Sequence, residues 1–378
     1  MGAPSPNPLL ELRRLGQSVW LDDIGRALLD DGTLVRLIEE DGLAGVTSNP
    51  AIFAHAIMKE PQYVAAIANV LDRLSATESS STALYETLAI DDLRRAADLF
   101  RKAFDRTTGA DGFVSLEVSP HLADDTAGTV AEGRRLWQRL ERPNALIKVP
   151  GTQAGLGAIR DLTADGINVN VTLLFSPEQY RAVAQAYMAG LETRVTKGQP
   201  IRHIASVASF FLSRIDTLVD KLLDDLAARG QPAARALRGK AAIASACRAY
   251  EIYEETVALP RWQALIEKEA KPQRLLWAST STKDPTYSPI KYVEELVVPN
   301  TVNTMPLETL QAYRRFGRPE LRLERHIAEG SDAREALERL GIDLEVVAGR
   351  LEREGVRKFI EPFDALQAWL GARRTRSG

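Results

Sequence analysis

Cysteine is almost missing from this 378-residue chain. A lone Cys247 excludes an internal disulfide and any C-x-x-C redox or metal pair, and it fits a reducing, cytoplasmic compartment. Histidine is scarce too. His55, His121, His203 and His326 form neither an H-x-x-x-H nor an H-E-x-x-H pattern, so no His/Cys metal site is expected. Counting alone leaves an all-carboxylate magnesium site open. The formal net charge of -3 lacks the basic excess of a nucleic-acid footprint. No apolar run approaches membrane-spanning length. The Pro-rich start, Met1 to Pro8, has neither the basic nor the apolar region of a signal peptide and reads as a short disordered lead-in. No G-x-G-x-x-G turn, the usual signature of a doubly wound open sheet, follows the first apolar run. Lysine is scarce beside arginine, by roughly threefold.

Short apolar or β-branched runs alternate with longer stretches of helical period. There are eight: Ser18 to Ile24, Leu43 to Phe53, Phe113 to Pro120, Asn144 to Pro150, Ile167 to Phe175, His203 to Phe211, Arg274 to Ser279 and Val297 to Met305. Strands alternating with helices imply parallel strands joined by right-handed crossovers. Eight such units predict an α/β fold, a closed (β/α)8 TIM barrel, with a doubly wound open sheet as the alternative. Two regions exceed the minimal barrel: a helical insert at about 61–106, and additional helices at about 307–373. No internal repeat or low-complexity linker interrupts the chain, so 1–378 reads as a single domain whose tail covers one end of the barrel.

Within the fourth run, Asn144 to Pro150, sits Lys148. A buried ammonium loses its hydration, and shedding the proton is one relief. A neutral amine is a nucleophile that forms a Schiff base with a carbonyl. The other reading is a strand-end lysine snorkelling to a salt bridge. In such barrels the C-terminal strand ends carry the chemistry. Those ends hold Asp22-Asp23, Thr47-Ser48-Asn49-Pro50, Glu117, Lys148, then Asn168, Asn170 and Thr172 in alternation. Ser206, Ser209 and Arg214 follow, then Ser279 to Lys283, and finally Asn300, Asn303 and Thr304. Each alone has a structural alternative: a turn for Asn49, a helix cap for Asp22, a surface ion pair for Arg214. Together they predict an inward set of one amine, two carboxyls, amides and hydroxyls, suited to a polyhydroxylated carbonyl substrate. Arg214 and Lys283 stand beside small hydroxyl residues that suit a phosphate.

Four co-linear motifs resemble the transaldolase family: Gly45-Val46-Thr47-Ser48-Asn49-Pro50, Ser115-Leu116-Glu117-Val118, Leu146-Ile147-Lys148-Val149-Pro150, and Ile167 to Phe175. Pro299 to Pro306 is similar to its longer bacterial branch. The resemblance implies transfer of a dihydroxyacetone unit from a ketose phosphate (sedoheptulose 7-phosphate or fructose 6-phosphate) to an aldose phosphate (glyceraldehyde 3-phosphate or erythrose 4-phosphate). It implies a lysine Schiff base, no metal and no cofactor, in the non-oxidative pentose phosphate pathway. By resemblance Lys148 is the nucleophile, and Glu117 moves protons through a water that Thr172 helps hold. Asp22 is the acid/base for C–C cleavage. Asn49 and Asn170 hold the dihydroxyacetone unit, and Ser209 and Arg214 bind phosphate. Where many members carry a second arginine, this chain reads Ser279-Thr280-Ser281-Thr282-Lys283, which makes Ser279 and Lys283 its candidate phosphate ligands. The partners implied are sugar phosphates, with no nucleic acid or membrane, in a monomer or homodimer. Alternatives are a related Schiff-base aldolase releasing free dihydroxyacetone or acting on another sugar phosphate, a metal-dependent aldolase, and a barrel kept only for binding.

Overall fold

The computed structural model describes residues 7–73 and 80–374, with the backbone alone for Arg374. Met1 to Pro6 of the lead-in lie outside the described residues. Each of the eight apolar runs holds one strand: β1 Gln17–Leu21, β2 Gly45–Val46, β3 Phe113–Glu117, β4 Ala145–Pro150, β5 Val169–Leu174, β6 Ser206–Phe211, β7 Arg274–Ala278 and β8 Thr301–Met305. The strands pair in parallel in chain order and β8 closes on β1, so the barrel is shut. Helices cover its outside, which is why the strands read as nearly continuous apolar runs. No helix among the described residues is long and apolar enough to cross a membrane.

The second run departs from a plain strand. Only Gly45–Val46 pairs, and the helix Pro50–Lys59 begins soon after. Asn49 accepts from the Ile52 amide at 3.0 Å, and Pro50 takes the first helical position, where its missing N–H costs nothing.

Strand register sets which residues enter the barrel, because parallel partners at one level share a face. Glu117 is level with Lys148, Lys148 with Asn170, Asn170 with Val207, and Val207 with Arg274. Following the ladder round puts Ser18, Thr304, Ser209 and Ser115 on the inner side as well. Asn303 falls on the outer side, level with Val19 and Trp277.

The helical insert is Gln62–Arg73 and Ser81–Arg106. After β8 come Leu307–Phe316, Ile327–Arg339 and the 31-residue helix Leu344–Arg374. That last helix crosses the C-terminal end of the barrel, the end that carries Lys148. Phe359 lies 5.7 Å from Lys148 Nζ, Phe363 packs edge-on against Tyr85 at 5.6 Å, and Asp364 pairs with His121 at 2.7 Å. Leu173, with φ of +62°, sits in a bulge of β5, and its side chain meets the helix at Gly355. A Cβ on Gly355 would come within 2.9 Å of that leucine, so glycine permits the close crossing. The tail therefore covers the end at which the polar side chains converge.

Candidate active site

Lys148 is 3% exposed. Its inward position on β4 follows from the alternation with Ile147 and Val149, both fully buried against the helices. Nζ donates to the Ser48 carbonyl at 3.0 Å and lies 3.2 Å from Glu117 Oε2. Glu117 is level with it on the neighbouring strand, so register alone brings the pair together. The lysine does not snorkel: it points into the barrel, under Phe359.

Both carboxyls there hold their protons unusually tightly. Burial pushes Glu117 up to about 7, against the opposing pull of Lys148, with Asp22 adding to the rise. Burial also raises Asp22, opposed by Lys148, by a hydrogen bond from Thr47 Oγ1 (2.8 Å) and by the charges of Arg214 and Lys283. Asp22 thus shares its surroundings with the amine and two cations. Asp23 turns elsewhere. Burial and the neighbouring carboxylates Asp22, Glu60 and Glu308 push it up to about 6, with no cation among its causes.

Amides and hydroxyls form one chain beside the amine. Ser209 Oγ donates to Asn170 Oδ1 at 2.8 Å, Asn170 Nδ2 donates to Ser115 Oγ at 3.0 Å, and Ser48 Oγ donates to the Ser115 carbonyl at 2.6 Å. Thr172 is fully buried, and its Oγ1 has no hydrogen-bond partner among the described residues. A hydroxyl left so two residues past Asn170 is poised for a ligand or water. Asn49 commits its Oδ1 to the helix cap, which leaves its amide NH2 for other work.

Arg214 opens the helix Ser213–Ala228 just past β6. Its guanidinium lies 5.3 Å from the Phe211 ring and against Gly355 of the covering helix. Its Nη1 is buried without a hydrogen-bond partner. It is therefore not the surface ion pair that one reading of the sequence allowed. Ser279 adopts φ of +56° and exchanges a 2.9 Å hydrogen bond with Ser213 Oγ, beside Arg214. Lys283 is exposed, bonded to Ser281 Oγ at 2.9 Å, and close enough for its charge to act on Asp22. Among the described residues no hydrogen bond joins Ser209 to Arg214; Ser209 is turned to Asn170.

Four strand-end candidates belong elsewhere. Asn168 lies at the other end of β5, donating to the carbonyls of Pro143 and Ala145 and accepting from the Ala205 amide. Ser206 faces outward and donates to the Val169 carbonyl. Asn303 faces outward by register. Asn300, with φ of +60°, turns the chain into β8 at the N-terminal end. Counting polar residues within a run does not reveal which end of the strand each occupies. Conversely, Thr47, Ser48, Ser115 and Phe359 are part of the site, yet the sequence assigns none of them a role of its own. The first three stand inside the motifs. Phe359 gave only the signal of an apolar helix stripe. Among the described residues no group of three or more His, Cys, Asp or Glu gathers as a metal site.

The profile of the Transaldolase/Fructose-6-phosphate aldolase family matches residues 19–370. A protein named transaldolase from Thiobacillus denitrificans is 49% identical over 361 residues, 96% of this chain and 99% of that one. One from Frankia alni is 45% identical over 373 residues, covering 98% and 99%. Transaldolase 2 of a Nostoc species is 44% identical over 369 residues, covering 95% and 96%.

Proposed function

The chain belongs to the Transaldolase/Fructose-6-phosphate aldolase family, and we propose that it transfers a dihydroxyacetone unit from a ketose phosphate to an aldose phosphate through a Schiff base on Lys148. The observation that carries this reading is the pairing of a buried, inward amine with Glu117 at 3.2 Å beneath the covering helix.

The geometry supports the roles that the family resemblance implies. Lys148 attacks the ketose carbonyl. Glu117, with a proton affinity raised to about 7, both accepts and returns a proton near neutral pH, as carbinolamine formation and dehydration require. The unpartnered hydroxyl of Thr172 holds the water that links Glu117 to the reacting carbon. Asp22 takes the proton from the substrate hydroxyl, so the C–C bond breaks and the protonated imine accepts the electron pair. Its raised proton affinity suits a base that must later return that proton. Asn170, oriented by Ser209 and Ser115, and the free amide of Asn49 bind the dihydroxyacetone hydroxyls. Arg214 takes the phosphate with Ser279 and Lys283. Arginine suits the task because its planar fork meets phosphate in a bidentate fashion, whereas lysine acts as a point charge. The covering helix keeps bulk water from the bound intermediate, so the unit passes to an acceptor rather than being released. No metal or cofactor enters these steps. The compartment that suits this chain is the cytoplasm, as a monomer or homodimer acting on sugar phosphates of the non-oxidative pentose phosphate pathway.

Borohydride added with fructose 6-phosphate traps the imine as a secondary amine. Peptide mass mapping is expected to find the adduct on Lys148, and protein left unlabelled after full treatment counts against the reading. Release of free dihydroxyacetone without an acceptor as the main reaction assigns the chain to the aldolase side of its family.

A further inference from the structure

A cavity of about 250 Å³ lies beside the active site, between the end of β3, the insert helix Ser81–Arg106, the helix Thr126–Leu140 and the covering helix. Its inner wall is Glu117. Its sides are Tyr85, Glu86 and Glu132, and Phe363 roofs it. Its outer lining includes Thr82 and His121, both exposed. Lys148 does not line it. Glu117 therefore faces the amine on one side and this cavity on the other.

The walls mix apolar side chains, Leu116, Val118 and Leu136, with carboxylates that are held in place. Arg135 and Arg139 both bond Glu86, and the Ser119 amide donates to Glu132 at 2.6 Å. The Tyr85 hydroxyl lies within the fields of Glu117, Glu86 and Glu132, which with burial raise its proton affinity. Tyr85 thus sits among carboxylates that run from Glu117 towards the surface. A cavity of this size has room for several waters, each taking a share of about 30 Å³, and its carboxylates and the Tyr85 hydroxyl give them partners.

The main mouth is poorly suited to water during the reaction. Phe359 and its helix cover it, and a substrate bound to Lys148 would narrow it further. Yet every turnover makes one water and consumes one. When the carbinolamine collapses, its C–O bond breaks, the nitrogen lone pair forms C=N, and a proton from Glu117 leaves with the hydroxyl as water. Product release runs the same step backwards: water adds to the imine carbon and gives its proton to Glu117.

We propose that this lateral cavity is the water route of the active site, joining Glu117 to solvent past Tyr85 and Glu132, with Thr82 and His121 at its mouth. The proposal deepens the Schiff-base reading and rests on it. The route admits single waters to Glu117 while the covering helix keeps bulk water from the intermediate.

Oxygen exchange tests it in the full-length protein. Fructose 6-phosphate is incubated in oxygen-18-labelled water without an acceptor, and label entering the ketose carbonyl is followed by mass spectrometry. Label enters only through imine formation and hydrolysis, above a background measured without protein. Thr82→Trp and His121→Trp place bulk at the exposed mouth, and His121→Ala widens it. The Trp variants are expected to exchange about tenfold more slowly, with kcat lowered and KM for fructose 6-phosphate unchanged, and His121→Ala not to slow. Trp variants that melt with the wild type and exchange at its rate overturn the route. A wild type that exchanges no label removes the imine itself, and the route with it.

Discussion

Two arginines at opposite ends of the barrel are treated in opposite ways. Arg274, on the inner side at the start of β7, bonds Ser18 Oγ at 3.0 Å, Asp111 Oδ1 at 3.0 Å and the Ala110 carbonyl at 2.7 Å. Ser18 and Trp20 Nε1 add their own bonds to Asp111, so the N-terminal end is a closed polar network. Arg214, at the C-terminal end, buries Nη1 with no hydrogen-bond partner among the described residues. The neighbouring Asn168 and Asn170 repeat the contrast at smaller scale. Asn168 ties three backbone groups together, whereas Asn170 belongs to a chain of side chains beside the amine. A buried polar group without a partner costs stability. Among the described residues the covered end carries that cost at Thr172 Oγ1 and Arg214 Nη1, whereas at the N-terminal end it falls on single amide oxygens of Gln17, Asn144 and Gln273, whose NH2 groups are bonded. The difference separates a polar network closed on itself at the N-terminal end from side chains at the covered end that remain open to the ligand proposed above.

The comparison breaks most visibly at Lys148. Lys148→Ala is expected to lower kcat/KM by at least about 10⁴-fold, since no other amine adjoins Glu117 to form the imine. A coupled transfer assay with borohydride trapping checks this, and near-wild-type turnover removes the central assignment. Asp111→Ala probes the other end. It strands Arg274 in a half-buried site, and the expected loss is roughly 2–4 kcal/mol of unfolding free energy in urea titration. Turnover well below the melting temperature is expected to stay unchanged, and a parallel loss of kcat would erase the division between the two ends.

Arg214→Ala sharpens the contrast. Losing charge-assisted bonds to phosphate is expected to raise KM for fructose 6-phosphate about 10–100-fold, with little effect on unphosphorylated dihydroxyacetone as donor. Removing a half-buried guanidinium whose Nη1 has no hydrogen-bond partner is expected to cost little stability. Equal losses on both donors would discard the phosphate role.

The division between the ends was only half legible beforehand. All eight strands could be read, because helix-covered barrel strands leave apolar runs separated by helical period. Lys148 and Glu117 stood out as charges inside such runs. Asn168 and Asn170 could not be told apart, since both face inward and only their depth along the strand separates their tasks. Asn303 gave a false inward signal because one residue of register turns a side chain to the other face. Phe359 was invisible as a site residue. It reaches Lys148 through the path of a helix some two hundred residues downstream, and nothing local marks an apolar stripe as a cover.

The smallest expected effect concerns what the unsatisfied end costs. Glu117 holds its proton up to about pH 7 in the folded chain, because burial disfavours its charge. In the unfolded chain it ionises in the ordinary carboxylate range. Between those values the folded state binds a proton that the unfolded state has lost. Linkage then requires this group's contribution to stability to fall as pH rises through the window, levelling off above about 7. Asp22 and Asp23 are raised as well and act in the same direction. Glu117→Gln removes one of these titrations. Urea unfolding at about pH 5 and about pH 8 is expected to show the wild type losing on the order of 2 kcal/mol more than the variant across that interval. Identical pH slopes for the two proteins would mean that Glu117 ionises normally, and it would then hold no proton near neutral pH to give in the step proposed for it.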